Sequence, residues 1–249
     1  MRVIARLDIK NEFVIKGIHL EGLRKVGNPN ELASNYYDHG IDEIVFMDAV
    51  ASLYDRNNLF HIIEAACRDV FVPIAVGGGL RTVKDVSSAL SAGADKVVIN
   101  TGAVQNIKLI EEAARCFGSQ CLVGSIEAKQ REGGWKAYID NGREPTDHDV
   151  VDWAYTLQEA GVGEIMLTSV DQEGTSRGFD VDVIEQVNNR ISRPLIVSGG
   201  YGKPVHLENL LARVQPSAVA FASVLHYQRS SISDLKGVAH RNGSEVPMS

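Results

Sequence analysis

The sequence predicts an α/β fold: a single (β/α)8 TIM barrel with an internal half-barrel repeat. Three observations predict it. Short β-branched runs alternate strictly with segments of helix-period apolar residues, the pattern of a parallel sheet with helices outside it. Eight such units fit in 249 residues, and barrels of this kind run to about 250 residues as one unit. A length prior of about 150 residues per domain would also admit two domains, but the two halves resemble each other in a way that one closed barrel explains.

In chain order, a strand over 3–9 leads to a helix over 30–39 that stops at Gly40, and a strand over 43–48 leads to a helix over 58–69. Strand 73–76 runs into Gly77-Gly78-Gly79, followed by a helix over 83–92 and Gly93. Strand 96–100 precedes helix 108–117, which ends at Gly118. The second half repeats the scheme: strand 121–127, helix 147–160 ended by Gly161, strand 164–169, helix 181–189, strand 194–198, helix 205–213 and strand 218–222. The glycines after helices are the expected stop signal, because the closing residue often needs a left-handed backbone.

The halves align with almost no gap. Leu7-Asp8-Ile9-Lys10 matches Ile126-Glu127-Ala128-Lys129 at an offset of 119, and Glu43-Ile44 matches Glu164-Ile165 at 121. Val76-Gly77-Gly78-Gly79 matches Val197-Ser198-Gly199-Gly200 at 121, and Asn100-Thr101 falls opposite Ala222-Ser223 at 122. Duplication of a (β/α)4 unit would leave such a repeat. It divides the chain into half-barrels of about 1–119 and 120–240, with 241–249 expected to be a flexible tail.

Barrel enzymes place reactive groups at the C-terminal ends of their strands. Asp8 ends the first strand and Glu127 the fifth, across the barrel from it, where a general acid and a general base are wanted. Glycine clusters end the third and seventh strands, and Asn100-Thr101 and Ala222-Ser223 end the fourth and eighth. Exposed glycine N–H groups beside small hydroxyl residues make an anion cradle. Each piece alone has a plainer reading, as a tight turn or a helix cap. Their joint placement at equivalent points of both halves points to a ligand with a phosphate at each end.

The residues also carry a resemblance. Asp8-Ile9-Lys10, Val14-Ile15-Lys16-Gly17, Gly40-Ile41-Asp42-Glu43, Val76-Gly77-Gly78-Gly79, the run from Ala94-Asp95-Lys96 to Asn100-Thr101, Phe117-Gly118-Ser119-Gln120 and Gly174-Thr175 before Gly178 resemble the cyclase subunits of imidazole glycerol phosphate synthase. The likeness runs from residue 2 to about 236. It implies a barrel that forms a heterodimer with a glutaminase. Ammonia from glutamine then reacts with a bisphosphorylated ribulosyl aminoimidazole carboxamide intermediate, giving imidazole glycerol phosphate and an aminoimidazole carboxamide ribotide. It implies Asp8 as one of two catalytic carboxylates and Lys16 at the start of a loop that closes over the substrate. One phosphate would lie on Gly79, Asn100 and Thr101, the other on Gly174, Gly200, Ala222 and Ser223.

Arg2, Glu43, Lys96 and Glu164 each begin a candidate strand with inward parity, since residues 2, 4, 6 and 8 share a face. That ring resembles the family's ammonia gate, and Asp95 matches a position that meets the glutaminase. The plainer reading is a salt-bridge ring closing the barrel bottom.

Three positions depart from the family pattern. Glu127 stands where the family has Asp, and Glu173-Gly174-Thr175 replaces Asp-Gly-Thr beside the phosphate and sugar. Arg6 faces inward where the family has a small neutral residue lining the ammonia passage. A buried guanidinium is expected to pair with Asp8 or Glu127 and lower that acid's pKa, unless a bulge turns it outward between helices. These departures keep open a paralogue that activates a glutaminase and delivers ammonia to a separate amidotransferase making acetamidino sugars of surface polysaccharides. The related single-chain isomerase barrel of histidine synthesis is a third reading, but it leaves the charged ring and Asp95 without use.

Composition narrows the partners. With 25 basic and 32 acidic residues, a net charge of −7 and no basic block longer than two, neither nucleic acid nor a membrane surface is expected as a partner. No run reaches the roughly 18 apolar residues of a membrane span. Asp8 interrupts any leader-like apolar run at the N-terminus. Cys67, Cys116 and Cys121 form no C-x-x-C pair, which fits a reducing cytoplasm. The seven histidines show no metal-ligand spacing, so no metal and no cofactor are expected, and Trp135 and Trp153 are expected to pack.

Overall fold

The computed structural model describes residues 1–51 and 59–247. Eight parallel strands close on themselves in the order β1 (Arg2–Lys10), β4 (Glu43–Asp48), β5 (Ile74–Gly77), β6 (Lys96–Ile99), β7 (Leu122–Arg131), β10 (Glu164–Ser169), β11 (Leu195–Ser198) and β12 (Ala218–Phe221). The β12 to β1 ladder, with Arg2 opposite Ala218 and Val3 opposite Val219, closes the ring. The pairing of β7 with β10, with Glu127 opposite Thr168, joins its halves. All eight expected strands are present, and the fold is the (β/α)8 barrel the alternation predicts.

Alternation along β1 separates two cores. Val3, Ala5, Leu7 and Ile9 face the helices, whereas Ile4 joins Val45, Ala75, Val98, Val123, Met166, Ile196, Ala218 and Ala220 in an apolar layer inside the barrel. Because side chains on a strand alternate faces, Arg2 and Arg6 flank Ile4 on the inner side. The bulge that would have turned Arg6 outward is absent: the register from Ile4 to Ile9 against β4 is unbroken, and Arg6 is 2% exposed.

Helices α1 (Pro29–Asp38), α2 (Phe60–Asp69), α3 (Val83–Ser91), α5 (Lys108–Phe117), α6 (Val150–Ala160), α7 (Val181–Arg190) and α8 (Pro204–Leu211) occupy the expected segments. Asn58, where the second was expected to begin, lies outside the described residues. Their starts have local causes. The Asn28 side chain accepts from the N–H groups of Asn30 and Glu31, and Thr82 and Asp85 form a reciprocal capping box, each satisfying donors that the first turn leaves unpaired.

Among the described residues, two hairpins and three α-helices go beyond the sequence reading. The hairpins are β2 (Phe13–Ile18) with β3 (Glu21–Gly27), and β8 (Gly134–Ile139) with β9 (Glu144–Asp149). They extend from β1 and β7, at matching places in the two halves. The helix expected over 147–160 therefore starts later, at Val150, with Asp149 as its cap accepting from Val151 and Asp152 N–H groups. Short helices α4 (Thr101–Gln105) and α9 (Ser223–His226) follow the two strand ends that carry the cradles, and α10 (Ile232–Arg241) packs on β1.

Beyond α10, Ser244 Oγ donates to Gln215 Oε1 at 3.1 Å and Lys236 Nζ donates to the Pro247 carbonyl at 2.9 Å. These contacts fall in the segment expected to be a flexible tail. Among the described residues no helix is long and apolar enough to cross a membrane.

Candidate active site

The N-terminal mouth of the barrel holds the four-charge ring. Arg2 donates through Nη1 to Glu43 at 2.5 Å and through Nη2 to Glu164 at 2.7 Å. Lys96 Nζ bridges the same two carboxylates at about the same reach, 3.0 Å to each. Glu43 is fully buried, and burial pushes its pKa up against the pull of Arg2 and then Lys96. Asp95 stands exposed beside Lys96 and accepts from the Ile74 N–H at 2.8 Å, tying the start of β5.

At the opposite end, Asp8 and Glu127 rise from β1 and β7, four strands apart around the ring and so facing each other. Both are buried, at 5% and 6% exposure. Their surroundings differ. Asp8 Oδ1 accepts from Arg6 Nε at 2.9 Å, and Lys16 Nζ stands 3.7 Å from Oδ2. Lys16 also pairs with Glu173. Burial alone would raise the Asp8 pKa, but Arg6 and then Lys16 outweigh it and hold the carboxyl below its usual range.

Among the described residues Glu127 has one hydrogen bond, from the Gly142 N–H at 2.7 Å, supplied by the β8–β9 turn. Burial pushes its pKa up to about 7, more than Arg6 and that N–H pull it down. Arg6 thus pairs with Asp8 and not with Glu127. The result is one carboxylate held ionised and one that keeps its proton up to about neutrality, the separation that lets two acids act as base and acid.

The first cradle gathers Gly78, Gly79, Asn100 and Thr101 around a cavity that Arg6 and Glu127 also line. Gly78 and Gly79 have φ of 100° and 69°, which turns the chain tightly after β5. The Asn100 amide donates to the Tyr138 carbonyl at 3.0 Å, and the Asp140 N–H donates to Thr101 Oγ1 at 3.2 Å. The β8–β9 hairpin is thereby tied to the cradle. Arg81 lines the same cavity and donates to the Ala51 carbonyl. The sequence reading missed it; its signal was a basic residue two positions after the glycine run.

The second cradle gathers Glu173, Gly174, Gly200, Ala222 and Ser223 with Ser198 and Gly199. An adjoining cleft is lined by Lys16, Arg24, Lys25 and Arg229, of which only Lys16 was expected. Hairpin β2–β3 lies folded over this side. The His19 N–H donates to the Glu173 carbonyl at 2.7 Å, and the Asn141 amide reaches the Leu20 carbonyl at 3.4 Å.

Gly174 is where hairpin and cradle touch. Its φ is +76°, and a Cβ there would stand 2.3 Å from the Gly17 carbonyl oxygen. Replacing it with alanine is expected to cost about 1–3 kcal/mol, since the residue is strained and the neighbour is backbone. Urea unfolding measures that loss. Limited proteolysis should show cleavage within 13–27 that the parent chain resists, because the hairpin must lift to clear the methyl group.

His226, on α9, was not singled out by the sequence. Its Nδ1 lies 2.7 Å from the Tyr36 hydroxyl, and Nε2 is buried without a hydrogen-bond partner among the described residues. Burial, and then Lys16, lower its pKa to about 4, so it stays neutral behind the site.

Residues 2–231 match the family described as histidine biosynthesis protein. A Legionella pneumophila protein named imidazole glycerol phosphate synthase subunit HisF is 57% identical over 204 residues, covering 82% of this chain and 96% of its own. Proteins of the same name from Dehalococcoides mccartyi and Methanopyrus kandleri are each 42% identical, covering 98% of this chain and 97% of their own.

Proposed function

The chain belongs to the histidine biosynthesis protein family, among the cyclase subunits of imidazole glycerol phosphate synthase, and from that premise we propose how its own residues carry the reaction. The reaction takes ammonia and the bisphosphorylated formimino intermediate to imidazole glycerol phosphate and aminoimidazole carboxamide ribotide. Closing an imidazole from ammonia, a carbonyl carbon and an amidine carbon forms two C–N bonds and expels water and an amine. Each addition sheds a proton from nitrogen and each expulsion needs one. Asp8, ionised, takes the first kind of proton; Glu127, protonated, supplies the second.

The substrate's phosphates occupy the two cradles, Gly79, Asn100 and Thr101 on one side and Gly174, Gly200, Ala222 and Ser223 on the other. Arg81 and Arg229 add charge at each end. Lys16 and Glu173 face the sugar between them. The glutaminase docks on the N-terminal mouth, against Asp95 and the Arg2, Glu43, Lys96 and Glu164 ring, and ammonia enters there. Neither metal nor cofactor has a step in this scheme, and three free thiols suit a reducing cytoplasm.

What carries this reading is the opposed protonation of two facing carboxylates set between two glycine cradles. The amidotransferase-delivery and isomerase alternatives are not favoured, because relatives at 57% and 42% identity bear the synthase name. The test feeds the purified chain the bisphosphate intermediate with ammonium salt at alkaline pH. Formation of both products is expected. No product while the intermediate still binds would sink the catalytic reading.

A further inference from the structure

Arg6 does more than pair with Asp8. Its side chain leaves β1 on the inner face, directly above the apolar layer of Ile4, Val45, Val98, Met166 and Ile196. It then crosses the lumen: Nη1 donates to Thr168 Oγ1 on β10 at 2.9 Å and reaches Ser198 Oγ on β11 at 3.5 Å. β10 lies three strands from β1 around the ring, one short of diametrically opposite. The guanidinium is therefore a bar anchored on both walls, between the charged ring below and the Asp8 and Glu127 carboxylates above.

We propose that Arg6 is an inner gate on the ammonia path, closing the barrel lumen below the reacting centre and opening when its guanidinium releases Thr168 and Ser198 while pivoting on Asp8. This rests on the reading that ammonia enters at the ring and travels along the barrel axis. The chemistry suits the cargo. Ammonia is small and neutral and can pass a guanidinium that has swung aside, whereas ammonium meets a fixed positive charge in a low-dielectric passage. A residue with three anchors on three strands has one closed state and needs a defined displacement to open, which distinguishes a gate from a lining side chain.

Two substitutions loosen the bar without touching the ring. Thr168→Val keeps the side-chain volume and removes the Nη1 acceptor; Arg6→Met removes the bar and leaves an apolar chain. In the complex with the glutaminase, glutamine-fed turnover is compared with ammonium-fed turnover, the second correcting for any change in chemistry at Asp8. Thr168→Val is expected to raise that ratio about tenfold or more, the scale of losing one hydrogen bond from a charged donor, and Arg6→Met by more. Ratios within twofold of the parent for both variants overturn the gate.

A second readout needs no turnover: proton exchange at the Arg6 Nε–H in arginine-labelled protein, followed by NMR. A closed gate predicts slow exchange that Thr168→Val accelerates, and exchange as fast as that of an exposed arginine overturns it. If neither ammonia source supports turnover in the parent, the cyclase reading fails and the exchange measurement still decides the gate.

Discussion

Asp8→Asn is expected to lower ammonium-fed turnover by about a thousandfold or more, within the range for losing a positioned general base, while the bisphosphate intermediate binds within a few-fold of its parent affinity. Asparagine has the same size and can still accept from Arg6 Nε, so the loss isolates proton acceptance. The parent carboxylate is ready for that task because Arg6 at 2.9 Å and Lys16 at 3.7 Å keep it ionised. The same substitution leaves Arg6 buried without its hydrogen-bonded counter-charge, since Glu173 is already paired with Lys16 and burial raises the Glu127 pKa to about 7. Removing one partner of a buried pair costs about 3–5 kcal/mol, so the variant should also melt lower. Calorimetry with the intermediate and a melting curve separate the two effects: a variant that binds substrate when folded yet does not turn over meets the expectation. Turnover within tenfold of the parent would remove Asp8 from the chemistry.

The inner charges show how far sequence alone could reach. Parity along β1 put Arg2, Ile4, Arg6 and Asp8 on one face, and the register bears this out. The sequence could not say whether Arg6 would choose Asp8 or Glu127, because that depends on the width of the closed barrel and on which acid already has a partner. Nor was the split in protonation legible. Glu127 takes a hydrogen bond from Gly142, in a hairpin whose second strand reads Glu-Pro-Thr-Asp-His-Asp. Such a segment has no apolar alternation, as expected of a strand mostly open to water, so it resembled a helix start. The turn between the two strands runs through Asp140, Asn141 and Gly142 at φ of 51°, 60° and 73°, a left-handed stretch that an Asp-Asn-Gly sequence does signal. The eight barrel strands were legible for the converse reason: most are buried on both faces, and buried parallel strands read as short apolar runs.

Glu127 ties both activity and stability to pH, and both decline as rising pH removes its proton. With free ammonia held constant, turnover is expected to fall above about pH 7, roughly tenfold per pH unit, as the acid that protonates the leaving groups loses its own proton. Glu127→Gln should abolish that limb and lower the plateau by about a hundredfold or more. For stability the sign follows from the folded pKa lying above the unfolded one, here about 7 against 4.5. Below pH 4.5 both states bind the proton and the buried group costs nothing extra. Between pH 4.5 and 7 the unfolded chain releases its proton while the folded chain retains it, so stability declines, and above 7 the deficit is complete. At 1.36 kcal/mol per unit it amounts to about 3 kcal/mol. Glutamine cannot ionise, so Glu127→Gln should melt above the parent at pH 8 and level with it at pH 4. Urea midpoints for both proteins at the two pH values measure this. A parent chain whose midpoint does not decline across the window would mean that Glu127 ionises as readily folded as unfolded, and the acid would have to be sought elsewhere in the site.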